Sequence, residues 1–164
     1  MKNLLACICL LFFCLGASAH GEPDAPLRKQ VNAFMDEWHD DAANARMAFF
    51  EKIAQDGVYI GTDKTELWQR DAFKVWAARF FQRKSAWAFK PMQRNVYASA
   101  DKKFVWFDEQ VDTQMGICQA SGVLRRVGDS FLIEHYQLSI AVPNGVADKV
   151  TATIKEYEAK AVVK

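Results

Sequence analysis

The sequence of 164 residues has few of the features that mark specialised protein classes. It contains only eight glycines and four prolines, while 51% of its residues are apolar and 25% are charged. This composition excludes a collagen-like chain, a low-complexity chain and an intrinsically disordered chain. Neither sign of charge dominates, because 21 Lys and Arg residues are balanced by 20 Asp and Glu residues. Electrostatics therefore gives no reason to expect a nucleic-acid partner or an acidic membrane partner.

Cysteine is scarce outside the amino terminus. Three of the four cysteines lie within the first 19 residues, which leaves Cys118 as the remaining one. A domain with a single cysteine cannot form an internal disulfide bond, so an apolar core has to hold it together. A chain of this length fits one domain and buries about 68–70% of its unfolded surface. The sequence contains no internal repeat or linker and predicts one domain.

The longest apolar run is too short to cross a membrane. Residues 4–15 form twelve apolar positions after Lys2, whereas a spanning helix needs about 18 or more. The run is followed by Ala17-Ser18-Ala19, the pattern of small residues that signal peptidase recognises. We therefore expect residues 1–19 to be a signal peptide, with export to the periplasm or the medium and no membrane anchor after cleavage.

Helical periodicity marks both ends of the remaining chain. The first stripe follows Pro26, which suits a first helical turn, and residues 20–26 are expected to be a flexible amino terminus. This stripe comprises Leu27, Val31, Phe34, Trp38, Ala42, Ala45 and Phe49. Another helix is predicted from Arg70, with Phe73, Trp76, Ala77 and Phe80 on one side. Residues 145–164 are expected to form a carboxy-terminal helix and tail with the apolar face Val146, Val150, Ile154 and Tyr157.

The pattern between these helices is typical of strands. A short strand is predicted at residues 58–60, and alternation after Lys84 predicts five more. Their expected ranges are 86–90, 94–99, 103–113, 117–127 and 130–142. Helices followed by a run of antiparallel strands indicate the α+β class, in which helices cover one face of a sheet.

Several short strings carry a family resemblance when they are taken with this order of elements. They are Gly61-Thr62-Asp63, Glu66-Leu67-Trp68, Trp106-Phe107-Asp108-Glu109, Ser121-Gly122-Val123-Leu124, and His135-Tyr136-Gln137-Leu138 leading into Val142-Pro143-Asn144. Over residues 27–144 the chain resembles the SnoaL-like branch of the nuclear transport factor 2-like superfamily. The resemblance implies a cone-shaped α+β domain in which the amino-terminal helices pack on the concave face of a curved antiparallel sheet. It also implies an apolar pocket and a homodimer formed through the other sheet face.

Strand alternation suggests one candidate pair of catalytic residues. With simple hairpin turns, Trp106 lies opposite Gly122, and Gly122 lies opposite His135. This register places Asp108 on the same face as His135, with Glu109, Arg125 and Tyr136 on the other face. In one interpretation Asp108 is a general base in the pocket and His135 is its partner, since a carboxylate on an apolar wall has a raised pKa. In the alternative interpretation Asp108 lies on an exposed strand and His135 is a half-buried ring whose hydrogen bonds are satisfied within the fold.

Aromatic and polar side chains supply candidate pocket residues. The set comprises Trp38, His39, Tyr59, Glu66, Trp68, Trp76 and Trp106. His39 is offset by one position from the apolar stripe, so we expect it at the pocket rim or in solvent. Glu66 lies in a loop, where a role at the pocket mouth is open. The alternative for the aromatic residues is ordinary core packing. No cofactor and no metal site is expected.

Three functions remain open at this stage. The first is an exported domain that binds a small apolar or carbonyl-bearing molecule without assigned turnover. The second is an isomerase, cyclase or dehydratase that uses Asp108 and His135. The third is an oligomerisation module whose cavity is filled by side chains. Fold-level analogy cannot choose among them.

Overall fold

The computed structural model describes residues 24–162, so the predicted signal peptide lies outside the described residues. The first helix, α1, spans Ala25–Ala43. The carboxylate of Asp24 caps it by accepting a hydrogen bond from the backbone N–H of Leu27 at 2.9 Å. The helix therefore begins within the stretch that was expected to be flexible, because this cap satisfies one of its first backbone donors.

The remaining elements follow the predicted order of helices and then strands. The short helix α2 and the strand β1 come next, followed by β2 and α3, at Ala48–Glu51, Ile53–Ile60, Leu67–Gln69 and Arg70–Ala77. Strands β3 to β6 span Lys90–Ala98, Phe104–Thr113, Gly116–Val127 and Ser130–Ile140. After a single 3-10 turn the last helix, α4, spans Ala147–Val162. The strand predicted at 86–90 is wrong, because residues 78–89 form an irregular segment and the strand begins at Lys90.

The six strands form one curved, open sheet in the order β2-β1-β6-β5-β4-β3. Neighbouring strands are antiparallel except β1 and β6, which run parallel. The sheet is therefore mixed, although a purely antiparallel one was expected. The chain reverses direction four times between β1 and β6, at the β1–β2, β3–β4, β4–β5 and β5–β6 connections. An even number of reversals leaves these two neighbouring strands pointing the same way. The α+β class is confirmed.

The strand register differs from the predicted one by one residue at two places. The turn after β4 contains two residues and ends at Gly116, whose φ of 88° favours glycine, so Phe107 rather than Trp106 lies opposite Gly122. A bulge in β6 then places Tyr136 opposite Gly122. One extra residue in a strand turns every side chain beyond it to the opposite face of the sheet. Counting residues outward from the hairpin turns therefore gave the wrong register.

The two faces of the sheet have different roles. The inner face packs against the helices and the buried aromatic core. Trp38 lies in this core, where its ring stacks on Phe49 at 4.6 Å and its Nε1 donates to the Phe49 carbonyl at 3.0 Å. Among its largest fully buried side chains are Trp38, Tyr136, Phe49, Phe50, Phe73 and Phe107. The outer face is turned to solvent and carries mostly polar residues, among them Asn95, Asp108, Gln119, Ser121 and Gln137.

The helix α4 has the predicted apolar stripe, but the described part of the chain does not cover it. Ile154 is 52% exposed and Tyr157 is 75% exposed. An ion pair between Lys64 and Glu158 joins the helix to the loop after β1. Within residues 24–162, no helix is both long enough and apolar enough to span a membrane.

Candidate functional site

An aromatic cavity of about 110 Å³ lies between β1, β2, α3 and the end of the irregular segment 78–89. Its aromatic lining consists of Tyr59, Trp68, Phe73, Trp76, Trp87 and Phe89. A cleft with mostly apolar walls and a few polar groups is the usual form of a small-molecule site.

Local structure explains why these rings meet. Tyr59 of β1 lies directly opposite Trp68 of β2, so both side chains point to the inner face. On α3, Phe73 and Trp76 are three residues apart and share one side of the helix. The rings of Tyr59 and Phe73 stack at 4.1 Å, and those of Trp68 and Trp76 stack at 5.4 Å. Each ring is thus held by a neighbour from another element.

The mouth of the cavity is more polar than its walls. Thr62, Glu66 and Gln114 contribute to it. The backbone N–H of Gly61 donates to the Glu66 carbonyl at 2.9 Å, which closes the loop. A Cβ atom at Gly61 would lie 2.1 Å from Oε2 of Glu66, so glycine is required for the carboxylate to take this position. The backbone N–H of Asp63 donates to the same oxygen at 3.3 Å, which holds the Glu66 carboxylate in its loop.

The cavity wall contains a hydrogen-bond donor that is not used. The indole Nε1 of Trp68 is buried and has no hydrogen-bond partner among the residues that the structure describes. An indole nitrogen can only donate, and leaving a buried donor unpaired costs about 1–3 kcal/mol. Burial raises the pKa of the neighbouring Tyr59 far above its usual range, with a contribution from the charge of Glu66. The Tyr59 hydroxyl therefore stays neutral, and Trp68 offers a donor for a ligand oxygen.

A second buried polar group is centred on the carboxylate of Glu109. The Nε2 atom of His39 lies 2.8 Å from Oε1 of Glu109, and the Tyr136 hydroxyl donates to the same oxygen at 3.2 Å. Arg94 donates from Nε to Oε2 at 2.9 Å. Its Nη2 lies 2.7 Å from Oε2, which is within ion-pair distance although the angle is too poor for a hydrogen bond. Both carboxylate oxygens are satisfied.

The charges of this group are set by its surroundings. Burial raises the pKa of Glu109, but the hydrogen bond and charge of His39 and the charge of Arg94 outweigh burial, so the pKa lies below its usual value. Glu109 is therefore ionised at neutral pH. Burial, with the adjacent Glu109 charge, raises the pKa of Tyr136 well above its usual value, which keeps the phenol protonated as a donor. A carboxylate with these partners orients its neighbours and is a poor general base.

The structure separates six of the seven predicted pocket residues into three groups, and the seventh, Trp106, lies on the outer face. Tyr59, Glu66, Trp68 and Trp76 lie in the wall and mouth of the aromatic cavity. Trp38 belongs to the core, as described above. His39 was expected at the rim, but it is 2% exposed and contacts Glu109. The reason is that the first helix lies close to the sheet, so a residue beside its apolar stripe is buried as well.

Asp108 and His135 do not face the cavity. Asp108 lies on the outer face and accepts a hydrogen bond from Nδ2 of Asn95 at 2.8 Å. His135 lies on the same face, between Val58 and Val123 of the adjoining strands. The expectation that they form a pocket pair is therefore wrong, since burial of alternate residues in β4 turns Glu109 inward and Asp108 outward.

Trp106 also lies on the outer face rather than in the cavity. Its ring stacks on Tyr97 at 6.2 Å. Near these rings the outer face has a shallow depression of about 400 Å³, lined mainly by amide and hydroxyl side chains. The depression is larger than the aromatic cavity, but it lacks apolar walls that could exclude water from a ligand. We therefore place the candidate site in the aromatic cavity.

Sequence reasoning missed several residues of the interior. Glu109 and Arg94 were not considered as partners of His39, and Phe73 and Phe89 were not assigned to a ligand site. The inward position of Glu109 could have been read from β4, because Glu109 lies two residues from both Phe107 and Val111. All three side chains point to the same face, and Phe107 and Val111 are buried. Across residues 24–162, no cluster of three or more His, Cys, Asp or Glu side chains could hold a metal ion.

Comparisons with solved structures bear on the fold. A nuclear transport factor 2-like protein of unknown function from Pseudomonas putida KT2440 has a TM-score of 0.61 and 13% identity, covering 76% of this chain and 92% of its own. A putative ketosteroid isomerase from Parabacteroides distasonis has a TM-score of 0.56 and 15% identity, covering 69% and 86%. A putative calcium/calmodulin dependent protein kinase II association domain from Xanthomonas campestris has a TM-score of 0.53 and 20% identity, covering 71% and 88%. Because these relatives are so distant in sequence, they establish a shared fold and not a shared activity.

Sequence comparison is informative at the level of the family. No curated protein matches the chain significantly. The family model for the SnoaL-like domain, however, matches residues 31–143, which cover α1 from Val31 onwards and the whole sheet. The protein therefore belongs to the SnoaL-like domain family, and it shares its fold with nuclear transport factor 2-like proteins.

Proposed function

We propose that the protein binds a small, flat, carbonyl-bearing molecule in the aromatic cavity, without turnover. The observation that carries this proposal is the unpaired indole N–H of Trp68 in the cavity wall. A carbonyl oxygen is the simplest neutral group that can accept this hydrogen bond. The neighbouring aromatic rings favour an apolar ring as the rest of the ligand, because offset-stacked and edge-to-face contacts between rings are favourable.

The size of the cavity limits what it can hold. Its volume of about 110 Å³ is below the roughly 150 Å³ of a dry engineered cavity that binds benzene. A single ring with a short substituent can enter only if part of it remains at the mouth, beside Thr62 and Glu66. We therefore expect a ligand with one ring, or two at most, rather than a fused polycyclic skeleton.

A matched pair of ligands tests the role of the carbonyl. Acetophenone and ethylbenzene have the same ring and the same number of carbon atoms, but acetophenone has a carbonyl group where ethylbenzene has a methylene group. We expect acetophenone to bind more tightly by about 1 kcal/mol, the net worth of a neutral hydrogen bond. Isothermal titration calorimetry gives the affinities, and tryptophan fluorescence reports occupancy because three tryptophans line the cavity.

Two variants locate the effect on one side chain. Trp68→Phe keeps an aromatic ring and removes the N–H, so it should abolish the preference for acetophenone. Trp106→Phe is the matched control, because Trp106 lies on the outer face, and it should keep the preference. The proposal fails if neither ligand saturates the protein, or if Trp68→Phe keeps the wild-type preference.

We also propose that the protein is exported through cleavage after Ala19. The support is the sequence pattern of residues 1–19 described above. Expression of the full chain in a bacterial host should yield a processed protein whose amino-terminal residue is His20. Intact-mass measurement of the periplasmic fraction checks this, and an unprocessed cytoplasmic product contradicts it.

A homodimer formed through the outer face is proposed as the assembled state. The support is that this face exposes the aromatic side chains of Tyr97 and Phe104. Replacing both with lysine should shift the protein to the monomer in sedimentation velocity runs. Val75→Lys is the control, since Val75 is exposed on α3 away from that face. A monomeric wild-type protein overturns this proposal.

A further inference from the structure

The imidazole of His39 has one nitrogen in use. Its Nε2 lies 2.8 Å from Oε1 of Glu109. An ionised carboxylate can only accept hydrogen bonds, so Nε2 carries the hydrogen. In the neutral ring the other nitrogen, Nδ1, is then an acceptor. The contact with Glu109 thus fixes the orientation of the ring, and in the neutral ring it leaves Nδ1 as the acceptor.

The Nδ1 atom is buried and has no partner within the described range of the chain. The whole residue is only 2% exposed, so bulk water does not satisfy this nitrogen. Buried polar atoms are nearly always paired, and one that the protein leaves unpaired is usually filled by a water molecule or by a ligand. Glu109 and Arg94, in contrast, are paired with each other.

Phe89 contacts both the aromatic cavity and the ring of His39. Its ring lines the cavity, and its centroid is 5.4 Å from that of His39. Phe89 lies at the end of the irregular segment 78–89, outside the hydrogen-bonded sheet. The segment is joined to α1 where the N–H groups of Ala86 and Trp87 share the Ala42 carbonyl, at 3.2 and 3.3 Å. A shift of the Phe89 ring would join the cavity to His39 without breaking a pair of strands.

We infer that Nδ1 of His39 accepts a hydrogen bond from a hydroxyl group of the ligand, so that the site takes a small hydroxylated aromatic ketone. This inference rests on the proposed function. The carbonyl end accepts from Trp68, and the hydroxyl end donates to His39 beyond Phe89. The two protein groups are complementary, since one can only donate and the other accepts. A molecule with a hydroxyl and a carbonyl on one ring satisfies both.

The test compares acetophenone with its three ring-hydroxylated isomers, 2′-, 3′- and 4′-hydroxyacetophenone. One isomer should bind the wild-type protein about tenfold more tightly than acetophenone, the effect of one additional hydrogen bond. His39→Gln is the diagnostic variant. The glutamine amide nitrogen can still donate to Glu109 in place of Nε2, while its one acceptor, Oε1, lies at the end of the side chain and not at the position of Nδ1. The advantage of the hydroxyl group should disappear in this variant, while the affinity for acetophenone itself should stay within about twofold.

The outcomes separate the inference from the proposed function. If acetophenone binds but no isomer binds more tightly, the His39 site is wrong and the carbonyl site stands. If the preferred isomer keeps its advantage in His39→Gln, the hydroxyl contacts another group and the inference is overturned. If no compound binds, both proposals fail.

A second measurement does not depend on the folding of the variant. In the wild-type protein, long-range proton–nitrogen NMR spectra should show Nε2 protonated and Nδ1 unprotonated. The Nδ1 resonance should shift when the preferred isomer is added. A protonated Nδ1 at neutral pH, or a resonance that the isomer leaves unchanged, overturns the inference.

Discussion

The Nε2 atom of His39 lies 2.8 Å from Oε1 of Glu109, and both side chains are withdrawn from solvent. The contact joins α1 to the middle of β4, two elements that are distant in the sequence. Arg94 of β3 and Tyr136 of β6 also donate hydrogen bonds to the Glu109 carboxylate. One carboxylate therefore links the first helix to three strands of the sheet and defines the buried side of the interior.

Removing the charge of Glu109 should destabilise the fold strongly. Glu109→Gln keeps the shape of the side chain but leaves the buried guanidinium of Arg94, among residues 24–162, with only the exposed carboxylate of Asp36 as a counter-charge. Breaking a buried ion pair in this way costs several kcal/mol, and we expect a loss of about 3 kcal/mol in the free energy of unfolding. Urea denaturation measures it.

The control for this prediction is Glu134→Gln. Glu134 pairs with Arg125 at a more exposed position on the sheet. Exposed and partly exposed pairs contribute little, so the change in the free energy of unfolding should stay within about 1 kcal/mol. Equal losses in the two variants would contradict the role assigned to the buried pair.

The stabilising effect of Glu109 should depend on pH in a defined direction. Its pKa in the folded protein lies below the ordinary value of 4.5, so the unfolded state takes up this proton first as the pH falls. The advantage of wild-type protein over Glu109→Gln should therefore be constant above about pH 4.5 and shrink as the pH falls through the folded-state pKa. Urea denaturation of both proteins from about pH 3 to pH 7 checks this, since other carboxylates cancel in the difference. A difference that grows towards acid pH would reverse the assigned sign.

Gly122 should not tolerate even a methyl group. A Cβ atom at this position would lie 2.7 Å from the carbonyl oxygen of His135 and 2.7 Å from Cζ of Phe107. We expect Gly122→Ala to cost about 1–3 kcal/mol, the usual penalty for overpacking, because one of the contacting atoms belongs to the backbone. At Gly145 nothing lies within 4 Å, so Gly145→Ala should change the thermal midpoint very little. A neutral Gly122→Ala variant would show that β5 and β6 are not paired in this register.

The apolar stripe of α4 should contribute little to the stability of the monomer. Ile154 is 52% exposed whereas Ile133 is fully buried on β6. Ile133→Ala should lower the free energy of unfolding by about 2–5 kcal/mol, and Ile154→Ala should change it by less than about 0.5 kcal/mol. Chemical denaturation at low protein concentration measures both. A large loss for Ile154→Ala would mean that another surface covers the helix.

The helices and strands could be predicted because their signals are local. The apolar stripe from Leu27 to Trp38 and the alternation through β4 depend on residues that are neighbours in the chain. The predicted strand at 86–90 was wrong because Trp87 and Phe89 are aromatic residues two positions apart, a pattern that is common in strands. They pack as part of the aromatic cluster and make no ladder contacts.

The faces of the sheet could not be predicted by counting from the turns. The bulge at Glu134 leaves no signal in the composition of β6, yet it decides that Tyr136 rather than His135 points inward. The candidate site consequently lies on the opposite face of the sheet from Asp108. Tyr59, Glu66, Trp68 and Trp76 line the aromatic cavity, as the sequence predicted, because none of them lies in the strands β4 to β6 whose register was miscounted.

The amino-acid sequence by itself determined the α+β class, the order of the elements, the resemblance to the SnoaL-like family and an interior rich in aromatic residues. These follow from periodicity, turn residues and apolar content, which are properties of the chain at short range. Only the tertiary structure decided which carboxylate is buried, where the cavity remains unfilled and that α4 is left uncovered. Those features depend on one-residue shifts between strands and on how closely distant elements pack, and neither is encoded in the spacing along a single strand.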